Sequence, residues 1–223
     1  MRPVIVFDVN ETLLNLEPVR AWFQTRFGGR IEASQWFGEL LRLSFVSAAT
    51  DRYSPFTSLA ADALRTTAAT GGISTSQDDA ETLGRLMRSL HPHPEAREGI
   101  ENLVRAGFTV AALTNSPQEA ANAQLNHAGL DDLIDPILSV EMVHRFKPHA
   151  SVYRAAAERL GVSLSDMVMV AAHDWDIAGA MAAGCRGVFI ERGGRPYSSA
   201  FPPPSASASD VVHAANQLIQ EDL

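Results

Sequence analysis

The length, composition and charge of the chain exclude several classes of protein. Its 223 residues, 46% of them hydrophobic and 20% charged, suit one globular core with room for a smaller insertion. A net charge of −8 argues against a nucleic-acid partner, because no basic stretch offsets it. No apolar run approaches the roughly 18 residues that a membrane-spanning helix needs, so we expect no membrane partner. The single cysteine, Cys185, excludes an internal disulfide, and the N-terminal residues lack a secretory leader pattern, so cytoplasmic residence is expected.

The first predicted strand, Val4–Phe7, precedes a long segment with helical character. Between residues 15 and 90, apolar residues at helical spacing occur in PVRAWFQTRF, ASQWFGELLRLSFVSAA, SPFTSLAADALRTTAA and TSQDDAETLGRLMRSL. The sequence therefore predicts four helices over residues 15–90, inserted into a core that comprises residues 1–14 and 91–223. The segment HPHPEAREGI, at residues 91–100, is predicted to be the turn that returns the chain to this core.

In the second half of the chain, short apolar runs alternate with helical stretches. The predicted strands are Phe108–Leu113, Pro136–Val140, Met167–Ala171 and Gly187–Ile190. This alternation predicts an α/β fold with a doubly wound, Rossmann-like parallel sheet covered on both faces. Residues 201–210, FPPPSASASD, are predicted to be a loop, followed by a last helix over about residues 211–221.

Residues suited to chemistry follow several of these strands. Asp8 follows the first, Thr114 and Asn115 follow the second, Lys147 comes after the third, and Asp176 comes after the fourth. Ligands of open α/β sheets bind beyond the carboxyl ends of the strands. We therefore expect these side chains to converge on one site.

Four short segments, in order, resemble the motifs of the haloacid dehalogenase-like hydrolases. They are FDVNETL, LTNS, KP and AAHDWDIAGA, and the resemblance extends over essentially the whole chain. It implies that the four-helix insertion is the cap domain of that superfamily.

Two departures separate this chain from the magnesium-dependent phosphatases that make up most of that superfamily. Those enzymes carry a second aspartate two residues after the nucleophile, where this chain has Asn10, and an amide cannot shuttle a proton to a leaving alcohol. They also carry a metal-binding aspartate where this chain has Ala172. We therefore expect no metal and no cofactor. A displaced ligand at Asp174, and with it a phosphatase that has an altered magnesium site, stays open as an alternative.

The L-2-haloacid dehalogenase (type II) branch, which also lacks these two aspartates, is the closer resemblance, and it carries the Trp-Asp pair seen here as Trp175-Asp176. It implies that Asp8 attacks C2 of a small carboxylic acid and that water hydrolyses the resulting ester to a 2-hydroxy acid. It also implies that Thr12 and Thr114 orient Asp8 and the substrate carboxylate, and that Asn115 helps to bind that carboxylate. Lys147 would supply the counter-charge to Asp8. Asp176, together with Lys147, would activate the hydrolytic water, and Tyr153 would support Lys147.

The leaving-group site departs from that branch. Phe37 stands where the branch has a halide-binding arginine, and His173 stands where it has an asparagine. We expect an apolar pocket around C2 lined by Phe37, Leu41, Phe56 and Trp175. His173 is expected to donate a proton or hydrogen bond to the leaving group, and Asn10 to help hold it.

The main hypothesis is a metal-independent hydrolase of small 2-substituted carboxylic acids, most simply an (S)-2-haloacid dehalogenase. The same displacement on a non-halide leaving group, such as ring opening of azetidine-2-carboxylate, is the first alternative. The altered phosphatase and a non-catalytic binding protein are the others. A homodimer is also expected, because helices 31–48 and 55–70 carry more apolar residues than one face needs.

Overall fold

The computed structural model describes residues 2–220 as one parallel sheet with helices around it and a four-helix segment inserted after the first strand. The strands are β1 (Val4–Phe7), β2 (Val110–Thr114), β3 (Ile137–Ser139), β4 (Met167–Ala171), β5 (Arg186–Ile190) and β6 (Ala206–Ala208). The α-helices are α1 (Glu17–Phe27), α2 (Ala33–Thr50), α3 (Phe56–Thr70), α4 (Gln77–Arg88), α5 (Ala96–Arg105), α6 (Gln118–His127), α7 (Ala150–Leu160), α8 (Asp174–Ala183) and α9 (Val211–Gln220). Two 3₁₀ turns, Val140–Met142 and Leu164–Asp166, complete the described elements.

The sheet has the strand order β3-β2-β1-β4-β5-β6, and all neighbouring strands run parallel. Every residue of β1, β2 and β4 is buried, which explains why these strands read as continuous apolar runs. The predicted α/β fold with a Rossmann-like parallel sheet is confirmed. Because β1 lies between β2 and β4, the carboxyl ends of these three strands meet at the centre of one sheet edge.

Helices α1–α4 lie within residues 15–90 and pack on one another, as Phe23 of α1 does on Trp36 of α2, with ring centroids 5.7 Å apart. The Trp36 indole donates from α2 to the carbonyl of Ala60 in α3 at 3.0 Å. Arg26 of α1 donates to Asp79 of α4 at 2.7 Å. Within residues 2–220, no helix combines the length and the hydropathy that crossing a membrane requires.

Two elements differ from the sequence-based prediction. Residues 91–100 were expected to be a turn, but α5 begins within them, directly after the prolines, and buries Ile100 and Leu103. The predicted loop at 201–210 contains β6, a short edge strand that pairs with β5 through Ala206 and Val188. Alanine and serine carry little strand preference, so pairing with β5 rather than local propensity determines β6. The predicted last helix is confirmed to Gln220, and residue 221 lies outside the described residues.

Candidate active site

Asp8 directly follows β1 and is held at the sheet edge by groups from neighbouring strands. The Thr12 hydroxyl donates to Asp8 Oδ2 at 2.7 Å and accepts from the Ala172 backbone N–H, after β4, at 2.9 Å. The Asp8 residue is only 5% exposed, and Thr12 is fully buried. The first carboxylate is thus oriented by a hydroxyl that is itself fixed by the next strand.

Lys147 is the buried cation that joins the two carboxylates of the site. Its ammonium group donates to Asp8 Oδ1 at 2.8 Å and to Asp176 Oδ2 at 2.5 Å. Its third hydrogen bond goes to the carbonyl of Leu113, at the end of β2, at 2.8 Å. All three protons of the ammonium group are therefore used, which is what a fully buried lysine requires.

Asp176 is held from both sides. The Tyr153 hydroxyl, on α7, donates to Asp176 Oδ1 at 2.7 Å, while Lys147 binds Oδ2. Gly179, one turn further along α8, allows this approach: a Cβ there would lie 2.9 Å from the Tyr153 hydroxyl and 2.4 Å from Pro148 Cβ. The structure therefore brings Asp8, Thr12, Lys147, Asp176 and Tyr153 together, as the sequence predicts.

The two carboxylates differ in pKa. Burial alone would raise the pKa of Asp8, but the charges of Lys147 and His173 and the hydrogen bonds from Lys147 and Thr12 hold it below its ordinary value. Burial, together with the charge of Asp8, raises the pKa of Asp176 despite the nearby Lys147. Burial would lower the pKa of Lys147, but the two carboxylates raise it and keep the amine charged. Asp8 is thus the more readily ionised carboxylate and Asp176 the more basic one.

His173 faces Asp8 from the other side. Its Nε2 lies 3.8 Å from Asp8 Oδ2, 3.8 Å from Glu11 Oε2 and 3.2 Å from the Asn10 carbonyl oxygen. Since a carbonyl oxygen can only accept, this contact requires a proton on Nε2. The Nε2 proton of His173 is therefore directed at the Asn10 carbonyl, beside the carboxylates of Asp8 and Glu11.

Aromatic rings fix the His173 imidazole. It stacks on Trp175, with ring centroids 5.1 Å apart, and on Phe37, at 5.9 Å. A cavity of about 140 Å³ adjoins His173 and is lined in part by Phe37 and Leu41. Phe56 instead packs on Phe146, 5.7 Å between centroids, and lines a different cavity. The expectation that Phe37, Leu41, Phe56 and Trp175 line one pocket stays a prediction: Phe37 and Leu41 line the cavity at His173, whereas Phe56, which begins α3, lines the other cavity and Trp175 stacks on His173.

Three predicted substrate ligands have partners within the protein. Thr114 Oγ1 accepts from the Ser116 backbone N–H at 3.1 Å, so it shapes the loop after β2. Asn115 Oδ1 accepts from the Lys147 backbone N–H at 3.0 Å, which leaves its NH₂ group for a ligand. The Asn10 amide donates to Ser116 Oγ at 3.2 Å and accepts from Gln124 at 3.1 Å. Asn10 therefore contacts the loop after β2 and α6.

Two residues of this region were not predicted. The Glu11 carboxylate lies between His173 and Arg20, and the Glu11 backbone adopts a φ of 63°, which is uncommon outside glycine. Gln124 lies on α6, 114 residues from Asn10. No local pattern marks either residue, because both act through contacts that only the fold creates.

The donor set does not fit a magnesium ion. The position between Asp8 and Asp176, where a cation would bridge two carboxylates, is occupied by the Lys147 ammonium. Asp174, the open alternative, uses Oδ1 to accept from the backbone N–H of Trp175 at 2.9 Å. Among residues 2–220, no group of three His, Cys, Asp or Glu side chains is positioned as a metal site. Mg²⁺ prefers six oxygen ligands in octahedral geometry, which this site does not offer.

The fold and site define a hydrolase with an aspartate at the end of the first strand. A sequence model described as "haloacid dehalogenase-like hydrolase" matches residues 3–184. The chain therefore belongs to the haloacid dehalogenase-like hydrolase family.

The similar proteins share the whole length of the chain. It is 30% identical over 217 residues to "(S)-2-haloacid dehalogenase 1" of Pseudomonas sp. (strain CBS-3), covering 96% of each protein. It is also 30% identical to "(S)-2-haloacid dehalogenase 4A" of Burkholderia cepacia, covering 96% of this chain and 90% of that one. Among solved structures, the L-2-haloacid dehalogenase of Xanthobacter autotrophicus with covalently bound chloropropionic acid superposes with a TM-score of 0.90 over 99% of both chains, at 23% identity. That structural likeness supports the fold.

Proposed function

We propose that this protein is a metal-independent (S)-2-haloacid dehalogenase that works through an aspartyl ester. The observation that carries the proposal is the buried Asp8–Lys147–Asp176 arrangement, in which an ammonium group takes the place of a metal ion. The names of the relatives supply the substrate class. Helices α1–α4, within residues 15–90, act in this proposal as the cap domain that excludes bulk water.

In the first step, a carboxylate oxygen of Asp8 attacks C2 of the substrate in line. The new C2–O bond forms as the carbon–halogen bond breaks, and the halide leaves with the bonding electron pair. The lowered pKa of Asp8 keeps it ionised for this attack. In this proposal, His173, held by its two aromatic neighbours, exchanges the hydrogen bond from its Nε2–H to the Asn10 carbonyl for one to the departing anion.

In the second step, water attacks the carbonyl carbon of the Asp8 ester. Asp176, the more basic carboxylate, takes the proton from this water, and Lys147 balances the charge that develops. The tetrahedral intermediate then expels the alkoxide, which takes the proton back from Asp176 and leaves as the 2-hydroxy acid, and Asp8 loses its own proton to solvent to regenerate the carboxylate. Because C2 is attacked once only, the product has the inverted configuration, so an (S)-haloacid gives an (R)-hydroxy acid.

Halide release tests the proposal. The substrates are (S)-2-chloropropionate and (S)-2-bromopropionate in EDTA, with Asp8→Asn as the matched inactive variant. The proposal expects halide release from the wild-type protein in EDTA and none from the variant. Release that requires added Mg²⁺, or turnover of phosphate esters instead, would support the altered phosphatase. Binding of haloacids without turnover would support the non-catalytic alternative.

A second candidate reaction rests on His173. An amine leaving group needs a proton, and His173 Nε2, which lies 3.8 Å from Asp8 Oδ2, is the side-chain nitrogen placed to supply it in this proposal. Ring opening of azetidine-2-carboxylate at C2 would use the same Asp8 ester and give a 2-hydroxy-4-aminobutyrate. Following that product by mass spectrometry, with His173→Asn beside the wild type, separates the two reactions. Loss of ring opening with halide release retained would assign this role to His173.

Two further parts of the proposal concern assembly and location. The homodimer rests on the apolar composition of helices 31–48 and 55–70, and it is tested by light scattering across a concentration series. Cytoplasmic residence stays a prediction and is tested by cell fractionation.

A further inference from the structure

A large cavity lies between the four-helix segment and the core. Its volume is about 820 Å³, within the range of small-molecule sites. Trp36, Leu40, Phe56 and Leu83 give it apolar walls, and Ser116 and Gln124 line it on the core side. Ser116 belongs to the loop after β2, so the cavity reaches the sheet edge that carries the candidate active site.

The catalytic groups themselves are closed off from solvent. Asp8 is 5% exposed, while Thr12, Lys147 and Asp176 are fully buried. A carboxylic acid must therefore pass a wall of side chains before it meets Asp8. On the side of the large cavity, Ser116 and Gln124 belong to its lining, and both are hydrogen-bonded to the buried Asn10, two residues after Asp8, which donates to Ser116 and accepts from Gln124.

A hydrogen bond from Gln124 connects this group of residues to the four-helix segment. Gln124 Nε2 also donates to the Met87 carbonyl of α4 at 2.7 Å. Both partners of Nε2 are acceptors, which fixes the amide orientation and leaves Oε1 buried without a partner among residues 2–220. An unpaired buried acceptor costs free energy, so this arrangement of Gln124 carries a penalty. A movement of α4 would break the hydrogen bond from Gln124 to the Met87 carbonyl and would at the same time weaken the hold of Gln124 on Asn10.

The outer part of the cavity is cationic in a chain of net charge −8. Arg65, Arg85 and Arg88 line it and are exposed, while Glu81 is the one acidic residue of its described lining. Arg65 pairs with Asp62 at 2.8 Å, and Arg85 donates to Thr82. Arg88 has no ion pair within residues 2–220, which leaves its guanidinium available to a carboxylate.

We propose that this cavity is the access chamber of the active site, in which Arg85 and Arg88 capture the carboxylate of the incoming acid. The inference rests on the proposed function for the identity of the acid. In this proposal, the hydrogen bonds of Asn10 with Gln124 and Ser116 separate the cavity from Asp8 and break when the acid passes. Charged residues that face an access path raise the local concentration of an oppositely charged ligand, and salt screens the effect.

The test compares the double variant Arg85→Gln/Arg88→Gln with Arg154→Gln. Arg154 is an exposed arginine on α7, outside the cavity lining, and serves as the matched control. Steady-state halide release from (S)-2-bromopropionate is measured at about 10 mM and about 0.15 M ionic strength, where the Debye lengths are about 30 Å and 8 Å. We expect kcat/KM of the double variant to fall about tenfold at low salt through KM, with kcat unchanged, and the effect to shrink at higher salt. Equal kcat/KM values in the double variant and in Arg154→Gln would contradict the proposal that this cavity is the access chamber.

A measurement without turnover keeps the two proposals apart. In Asp8→Asn, which lacks the nucleophile, the association rate of (S)-2-bromopropionate is followed by tryptophan fluorescence, since Trp36 lines the cavity. We expect the two arginine substitutions to slow association several-fold, whereas Arg154→Gln leaves it unchanged. If wild type releases no halide but association still depends on the arginines, the proposed function fails and the chamber stands. If halide is released and association ignores the arginines, the chamber is wrong.

A third variant closes the cavity by volume. Ala80 of α4 lines it and is half-buried, so Ala80→Trp would fill part of the space. We expect a several-fold lower association rate with the urea midpoint of unfolding unchanged. An unchanged association rate in this folded variant would exclude the cavity as the path to Asp8.

Discussion

Replacement of Lys147 by methionine probes the centre of the proposed site. The ammonium group is fully buried and donates to Asp8, Asp176 and the Leu113 carbonyl, each within 2.8 Å. Methionine keeps the length of the side chain but leaves two buried carboxylates facing each other without a counter-charge. Removing one partner of a buried ion pair typically costs about 3–5 kcal/mol, a large part of the stability of a single domain.

The pH dependence of this loss follows from the direction of the pKa shifts. In the wild type, the pKa of Asp8 is below its unfolded value, so Asp8 stabilises the fold above the unfolded pKa and that contribution is lost as pH falls. In Lys147→Met, burial and mutual repulsion raise the carboxylate pKa values above the unfolded ones. The folded variant then binds more protons than its unfolded state, and it gains stability as pH falls. The difference between variant and wild type should therefore shrink between about pH 7 and pH 4.5.

Urea unfolding followed by circular dichroism measures both effects. We expect Lys147→Met to lose about 3–5 kcal/mol of unfolding free energy at pH 7 and clearly less at the lower pH. Adding Asp8→Asn to Lys147→Met removes one uncompensated charge and should restore part of the loss at pH 7. A loss that is the same at both pH values and is not relieved by Asp8→Asn would refute the electrostatic reasoning.

Three other predictions follow from the same contacts. Because the pKa of Asp8 is lowered, the rate of ester formation should be retained on acidification to about pH 4, near the ordinary aspartate pKa. Rapid-quench kinetics measure this rate, and a rate that falls already near pH 6 would contradict the prediction. Tyr153→Phe removes the hydroxyl that binds Asp176, so urea unfolding should show a loss of about 1–3 kcal/mol, and kcat should fall more than KM changes. Gly179→Ala places a Cβ 2.4 Å from Pro148 Cβ, so the free energy of unfolding should fall by about 1–3 kcal/mol, as measured by thermal unfolding. An unchanged unfolding midpoint would show that the loop at Pro148 adapts freely.

The parts of the fold that the sequence predicts are those with strong periodic signals. The buried strands of the sheet read as unbroken apolar runs, and the helices after them end at Gly161 and Gly184 in the left-handed conformation. Two elements lacked such a signal. The prolines that precede α5 suggest a turn, and β6 is three residues of alanine and serine held by its partner strand. Elements stabilised by tertiary pairing cannot be read from local preference.

The candidate site shows the same division. The sequence places Asp8, Lys147 and Asp176 correctly because strand ends meet at a known edge of the sheet. The sequence does not show which partners a side chain contacts. Asn10 contacts Gln124 rather than lying free for a leaving group, and Phe56 lines a second cavity. Glu11 is missed because its unusual backbone angle, and hence its approach to His173, has no local sequence pattern.

The aspartyl ester is the central claim, and isotope labelling tests it most directly. The protein, in excess over (S)-2-chloropropionate, is allowed a single turnover in H₂¹⁸O, and the peptide that contains Asp8 and the hydroxy acid are analysed by mass spectrometry. The account predicts ¹⁸O in the Asp8 carboxylate and unlabelled oxygen in the first product, because water attacks the ester carbonyl carbon. Label in the first product, with none in Asp8, would show that water attacks C2 directly and would contradict the account.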